Sequence, residues 1–137
     1  MSYTFDAGSI LILTRELKEK VLDLVVGNFT ASLVYYEVGN ALWRECNLLG
    51  RLRINEATKA LEFITSLLSF MEVIRVEDKG LEIKTLVNAC ELNITYYDAA
   101  YLIVAEKFCK ILVTDDEKLT AAAREIGIET LSSKSLF

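Results

Sequence analysis

The sequence contains no histidine among its 137 residues. This absence excludes Ser-His-Asp and Cys-His catalysis, histidine general acid–base chemistry and every imidazole metal site. Hydrolytic chemistry would have to rest on carboxylates, acting alone or holding a hard cation such as Mg²⁺ or Mn²⁺. Proline is also absent, which fits long uninterrupted helices but carries no functional message.

Cysteine and long apolar runs are scarce as well. The three cysteines, Cys46, Cys90 and Cys109, include no CxxC pair, so we expect small buried apolar side chains and neither zinc nor a disulfide framework. No apolar run reaches the ~20 residues of a membrane-spanning helix, and the first residues lack the basic start and apolar core of a signal peptide. We therefore expect a soluble, cytoplasmic protein with no membrane partner.

The chain does contain short apolar segments that alternate with helical patterns. Hydrophobic residues make up 53% and charged residues 26% of the sequence, as in a folded globular chain. Strands separated by helices predict an α/β fold with a mostly parallel sheet covered on both faces, in one domain spanning residues 1–137. The predicted strands are 3–5, 29–32, 72–76, 111–114 and 128–131, and the predicted helices are 15–26, 35–50, 55–70 (with Asn55 as N-cap), 81–93, 96–108 and 117–127.

Carboxylates follow several of these strands. Asp6 comes directly after the first strand, and Asp115 and Asp116 come directly after "ILVT". Glu37 and Asp98 stand near the starts of two helices. Because ligands of open parallel sheets bind beyond the carboxyl ends of the strands, we expect these acids to share one edge of the sheet. Crowded carboxylates repel one another unless a cation neutralises them, so the cluster suits a divalent metal site.

Helix capping is an alternative explanation for some of these acids. "TYYD", ending at Asp98, and "TDDE", containing Asp115 and Asp116, both fit a capping box, and Asp6 fits a cap of the turn "DAGS". Glu37 is harder to explain in this way, because it lies in a helix that otherwise reads as buried. Asn40 and Arg44 stand on the same helical face as Glu37.

The spaced acids resemble those of a known family. The segments "TFDAGSIL", "YYEVGNAL", "TYYDAAYL" and "LVTDDEKL" are similar, in order and over essentially the whole chain, to the motifs of the PIN-domain family and, within it, of VapC-type toxins. The resemblance implies a three-layer α/β/α sandwich with a central mostly parallel sheet. It also implies an Mg²⁺-dependent (or Mn²⁺-dependent) endoribonuclease that is held by a cognate antitoxin and forms a homodimer.

The resemblance assigns roles residue by residue. It implies that the metal-binding and catalytic acids are Asp6, Glu37, Asp98 and Asp116. Thr114 resembles the hydroxyl residue that supports the last acid, and Asn40 the polar neighbour of the glutamate. The family usually has a hydroxyl residue two positions after its first Asp, where this chain has Gly8, so Ser9 is the candidate substitute.

The expected RNA and protein partners call for further surface residues. The net charge of −5 opposes RNA binding, and Arg44 and Lys118 are candidates for phosphate contacts, with solvated surface charge as the alternative. Tyr35, Tyr36, Trp43 and Leu48 are candidates for an antitoxin groove or a homodimer face, with core packing as the alternative. Two rival functions stay open at this point, an α/β phosphoacceptor module that binds Mg²⁺ and a catalytically silent interaction domain. The sequence favours the nuclease because neither rival accounts for Glu37 and Asp98.

Overall fold

The computed structural model describes all 137 residues and contains five strands and seven helices. The first half comprises β1 (Thr4–Phe5), α1 (Ala7–Leu17), α2 (Val21–Val25), β2 (Phe29–Ala31), α3 (Val34–Trp43) and α4 (Ile54–Leu68). The second half comprises β3 (Glu72–Ile74), α5 (Glu82–Leu92), α6 (Tyr96–Val104), β4 (Ile111–Val113), α7 (Glu117–Glu125) and β5 (Glu129–Leu131).

The five strands form one sheet in the order β3-β2-β1-β4-β5, and every neighbouring pair is parallel. β1 is central, and its Thr4 pairs with Phe29 of β2 on one side and Leu112 of β4 on the other. Helices flank the sheet, as parallel strands require crossover connections. The predicted α/β class and parallel three-layer arrangement are confirmed.

The core is built around α6 and the central strands. Ala99, Ala100, Tyr101, Leu102, Ile103 and Val104 of α6 are all buried. A helix that is apolar on every side must lie inside the protein, and α6 packs against β1 and β2. The sheet contributes buried apolar residues such as Phe5 and Leu112 to the same cluster. This helix therefore brings residues at its own N-terminus to the central strands.

Two predicted helix boundaries are wrong. The helix predicted at 15–26 is divided between the end of α1 and α2 (Val21–Val25). α1 begins already at Ala7, because the Asp6 side chain accepts a hydrogen bond from the Ser9 amide. The chain breaks after α1, where Lys18 has φ 53°. The N-cap of α4 is Arg53 and not Asn55, since Glu56 reaches back to accept a hydrogen bond from the Arg53 amide at 2.9 Å.

The cysteine prediction holds only in part. All three cysteines are free thiols, which agrees with the absence of a disulfide framework. Cys46 and Cys109 are half-buried, however, and Cys90 is exposed on α5, so the expectation of three buried cysteines is wrong.

Among the helices, not one combines the length and the apolar character needed to cross a membrane.

Candidate active site

The candidate site lies where the strand order reverses. β1 is followed in the chain by β2, its neighbour on one side, whereas β4 lies on the other side of β1. Asp6 comes directly after β1, and Thr114 to Asp116 come directly after β4. Because these two strands are parallel neighbours, their carboxyl ends open onto the same crevice, the usual ligand position in such sheets.

One cleft of about 300 Å³ collects all four predicted acids. We call it the acidic cleft, and its carboxylates are Asp6, Glu37, Asp98, Asp115 and Asp116. The prediction that strand-end and helix-start acids share one edge of the sheet is confirmed. Asp115 is an addition, because the resemblance assigns a metal-binding role to Asp116 and none to Asp115.

Asp6 is held rigidly at the base of the acidic cleft. It is only 9% exposed, its Oδ1 accepts a hydrogen bond from the Ser9 amide at 2.8 Å, and its Oδ2 accepts one from the Thr114 hydroxyl at 2.5 Å. Burial raises the pKa of Asp6 above its ordinary value, and these hydrogen bonds act in the opposite direction. The carboxylate therefore combines a helix cap with a place in the cleft, so that capping and site roles coexist.

Thr114 supports a different acid from the one predicted. Its hydroxyl donates to Asp6 and accepts from the Asp116 amide at 3.1 Å, and it does not contact the Asp116 carboxylate. Asp116 instead caps α7, accepting from the Leu119 amide at 2.8 Å. Asp115 accepts from the Ser133 amide at 3.0 Å. Thr114 thus links the end of β1 to the end of β4. The spacing of Thr114 and Asp116 in the sequence does not reveal this link.

Glu37 has a partner that the sequence interpretation missed. The Tyr101 hydroxyl donates to Glu37 Oε1 at 2.6 Å, which explains how a half-buried carboxylate in α3 is tolerated. Burial and the adjacent Glu37 raise the pKa of Tyr101 above its ordinary value, so the phenol remains a donor. The segment "TYYDAAYL" does indicate that Tyr101 lies near the site, since it follows Asp98 by three residues, one helical turn further along the same face.

Asp98 has a raised pKa and also lies at the start of α6. The capping prediction is half right, because the Thr95 hydroxyl accepts from the Asp98 amide at 3.0 Å, while the Asp98 carboxylate lines the acidic cleft. Burial, followed by the charges of Asp116, Glu37 and Asp6, raises the pKa of Asp98 to about 6. Burial and carboxylate crowding therefore both disfavour the charged form of Asp98, and a bound cation would reverse the effect of crowding.

The remaining predicted residues lie around the cleft. Ser9 is fully buried, and its hydroxyl donates to the Asp6 backbone carbonyl at 2.9 Å, so it does not present a hydroxyl to the cleft as the expected substitute would. Asn40 and Arg44 share a face of α3 with Glu37, as predicted, but they line an adjoining cavity. Lys118 is exposed in the first turn of α7.

The donor chemistry of the cleft fits a hard divalent cation. Every candidate side-chain ligand is a carboxylate. Burial and then the neighbouring carboxylates raise the pKa of Asp98, and a cation would offset the second of these effects. A preformed metal centre is not present, because no three acids are arranged so as to hold an ion. Asp6, Glu37 and Asp116 are instead engaged in hydrogen bonds with neighbouring groups. These hydrogen bonds orient the carboxylates and leave Glu37 Oε2 and Asp116 Oδ2 without a hydrogen-bond partner, so those oxygens are available to an ion.

The fold and the acidic cleft define a class, the PIN-like α/β proteins with carboxylates at the switch point of a parallel sheet. The solved structure of PAE2754 from Pyrobaculum aerophilum agrees with this class: its TM-score is 0.76 at 28% identity, and the match covers 99% of this chain and 93% of that one. No family model matches the sequence.

Sequence relatives specify the family. Exonuclease VapC9 of Pyrobaculum aerophilum is 41% identical over 100 residues, which are 72% of this chain and 70% of that protein. Ribonuclease VapC3 of the same organism is 32% identical over 125 residues, which are 87% of this chain and 92% of that protein. The chain belongs to the VapC family of PIN-domain toxin nucleases.

Proposed function

We propose that this protein is a metal-dependent endoribonuclease whose residues 1–137 act as one PIN-like domain. The observation that carries the proposal is the acidic cleft, to which the beginning, the middle and the end of the chain all contribute carboxylates. The relative named as a ribonuclease supports RNA as the substrate. Neither a phosphoacceptor module nor a silent interaction domain accounts for nuclease relatives.

Cleavage within the RNA chain is supported by the surface on either side of the cleft. A cavity on the α3 side shares Glu37 and Ala41 with the acidic cleft. A second cavity, on the β5 side, shares Asp115 with it. An RNA strand can therefore continue beyond the cleft in both directions, which an endonuclease requires. The relative named as an exonuclease makes this point worth testing directly.

The carboxylates would share one task, and the hydroxyl groups beside them would have another. Asp6, Glu37, Asp98 and Asp116 would hold Mg²⁺ or Mn²⁺, whose preferred ligands are oxygens. When bound, such a cation supplies Lewis-acid stabilisation of the charge that develops on a phosphodiester. Thr114 keeps Asp6 in place and Tyr101 keeps Glu37 in place. Lys118 and Arg44 remain candidates for phosphate contacts at the rim.

Circular single-stranded RNA tests the proposal. We expect purified protein to linearise the circle with Mg²⁺ or Mn²⁺ and to stop when EDTA is added. The Asp6→Asn variant should lose this activity, whereas the matched Asp23→Asn variant, changed at an exposed acid of α2, should retain it. Cleavage of linear RNA without cleavage of the circle would show an exonuclease and contradict the proposed endonuclease. Activity that persists after thorough chelation would remove the metal from the proposal.

An antitoxin partner and a homodimer belong to the same proposal. Tyr35, Tyr36, Trp43 and Leu48 are all exposed, so the alternative of core packing is wrong for these four. Trp43 also borders an apolar groove between α3 and α4, together with Leu42, Ile54 and Leu61. This groove would accept an apolar segment of an antitoxin, and the exposed side chains of Trp43 and Leu48 are the candidate homodimer surface.

Growth in a host tests the toxin role in the cytoplasm, where the RNA substrate would be met. Expression of the protein alone should slow growth, and co-expression of a small antitoxin from the neighbouring gene should relieve the effect. An Asp6→Asn variant that is as toxic as the parent would show that toxicity is not enzymatic. Sedimentation of the purified protein separates the homodimer from a monomer.

A further inference from the structure

The cavity on the α3 side of the acidic cleft is large and faces solvent. It measures about 560 Å³, within the usual range for small-molecule sites. Its wall combines Tyr36 and Asn40 of α3, the flanking residues Leu33 and Arg44, and Tyr97 of α6. We call it the tyrosine pocket. Of the carboxylates that the proposed function uses, only Glu37 lines the tyrosine pocket.

Its two tyrosines are unusually exposed. Tyr36 is 84% and Tyr97 63% exposed, and neither ring is part of the two aromatic pairs of the protein, Tyr3–Phe5 and Phe29–Phe108. Each tyrosine directly precedes a carboxylate of the acidic cleft, Glu37 or Asp98. Two unstacked aromatic rings therefore flank the place where the proposed chemistry occurs.

The polar groups of the tyrosine pocket suit one nucleotide. Tyr36, Asn40 and Arg44 follow one another at intervals of four residues, which places them along one face of the helix. Arg44 is exposed and takes part in no ion pair, so its guanidinium is free to contact a phosphate. Asn40 supplies both a donor and an acceptor for the edge of a base.

The charge balance of the whole protein favours stacking as the source of affinity. With a net charge of −5, the protein cannot rely on the summed phosphate contacts that drive most RNA binding. Aromatic stacking is independent of net charge and is the other main contribution to single-strand binding. The exposed tyrosines are therefore the groups through which an acidic protein can retain RNA.

We propose that the tyrosine pocket is a subsite for one unpaired nucleobase of single-stranded RNA, next to the phosphodiester in the acidic cleft, with the base stacked on Tyr36 and Tyr97. Arg44 contacts the phosphate on the far side of that nucleotide. The proposal rests on the proposed function and specifies its substrate as unpaired RNA with a base at this position. Paired RNA has no free base to place there.

Abasic substitution tests the subsite. In an RNA oligonucleotide with a mapped cut, each nucleoside beside the cut is replaced in turn by an abasic ribose, and kcat/KM is measured. We expect one position to lower kcat/KM about tenfold in the parent protein and to have little further effect in Tyr36→Ala or Tyr97→Ala. The Phe variants should behave as the parent, because stacking needs only the ring.

The neighbouring tyrosines provide matched controls. Tyr35 and Tyr96 are 42% and 40% exposed and do not line the pocket, so Tyr35→Ala and Tyr96→Ala should retain the full abasic effect. Because all four side chains lie at the surface, thermal midpoints should change little. An abasic effect of the same size in the parent and in Tyr36→Ala would overturn the subsite.

Binding without cleavage gives a second measurement. In EDTA, the fluorescence of an oligonucleotide with 2-aminopurine at the sensitive position should be quenched by the parent and not by Tyr97→Ala. No cleavage by the parent would overturn the proposed function, whereas cleavage with unaltered abasic sensitivity would overturn the subsite alone. A Tyr36→Ala variant that keeps its abasic sensitivity but no longer binds the antitoxin would assign the pocket to that protein.

Discussion

The two adjacent carboxylates after β4 differ in their partners, and this difference predicts different functional effects. Asp116 caps α7 through the Leu119 amide, and Asp115 binds the Ser133 amide. We expect Asp116→Asn to lower RNA cleavage by orders of magnitude with little loss of stability, since Asn remains a good N-cap. We expect Asp115→Asn to cost at most a few-fold in activity.

Cleavage rates and chemical denaturation of the two variants provide the measurement. Both acids line the acidic cleft, so the comparison separates position in the cleft from a catalytic role. Equal losses from the two substitutions would show that the pair acts jointly. A larger loss from Asp115→Asn would transfer the proposed metal-binding role to that residue.

The raised pKa of Asp98 predicts a pH-dependent stability. Its value of about 6 exceeds the ordinary 3.8, so the folded state binds this proton more tightly than the unfolded chain does, and this contribution to stability is lost as pH rises from about 4 to 6. In metal-free buffer, Asp98→Asn should therefore be more stable than the parent at pH 7, and the difference should shrink toward pH 4.

Thermal unfolding in EDTA across this range measures the effect. The Thr95 cap acts on the Asp98 backbone amide, so it survives in the Asn variant and does not obscure the comparison. A difference between parent and variant that does not change between pH 4 and 7 would contradict the charge crowding that we describe. An Asp78→Asn control removes an exposed carboxylate outside the cleft, which pairs with Arg75.

Tyr101 is expected to act by orienting Glu37. Tyr101→Phe removes the donor at 2.6 Å while preserving the buried ring, so the free carboxylate gains rotational freedom. Hydrogen bonds to charged groups contribute about 1.5–3 kcal/mol, and we expect kcat to fall roughly tenfold with KM for RNA nearly unchanged. Tyr3→Phe, at the opposite end of β1, is the control. An unaltered kcat would show that Glu37 needs no such partner.

At the scale of elements, the connection between α1 and α2 stores backbone strain. Lys18 has φ 53° and ψ −129°, a region that favours glycine. Lys18→Gly should stabilise the protein by about 1 kcal/mol, because non-glycine residues there cost of order 1–3 kcal/mol. Lys20→Gly, at helical φ and ψ, should instead destabilise it by roughly 0.5–1 kcal/mol. Urea denaturation measures both, and a destabilised Lys18→Gly would contradict the strain.

The elements also show what a sequence can and cannot reveal here. Strands and helices alternate with clear patterns, and acids at strand ends reach one crevice wherever parallel neighbours end together. The start of α1 was missed because the cap at Asp6 outweighs the apolar periodicity of later residues. The Thr114–Asp6 and Tyr101–Glu37 hydrogen bonds join residues 108 and 64 positions apart. Local spacing places Tyr101 on the helical face of Asp98, but it does not identify the distant acid that either hydroxyl contacts.

At the scale of the whole molecule, a cation should act as a cross-link between distant segments. The proposed ligands assemble only in the folded state, so Mg²⁺ should raise the thermal midpoint. At a hundredfold excess over Kd, the free energy of unfolding should increase by about 2.7 kcal/mol. Asp6→Asn should reduce this response, and Asp23→Asn should not. A midpoint indifferent to millimolar Mg²⁺ in the parent would argue against a functional metal centre.

The order of the strands also determines at which stage of synthesis the acidic cleft can assemble. β1 lies at the centre of the sheet, yet one of its two partners, β4, is encoded more than a hundred residues later. A ribosome therefore exposes Asp6 and Glu37 well before the strand that closes the crevice and the Thr114 hydroxyl that holds Asp6. A nascent chain, or any product that ends before residue 111, has no assembled cleft. Synthesis itself thus imposes an interval before the acidic cleft exists, and the proposed antitoxin can be made during that interval.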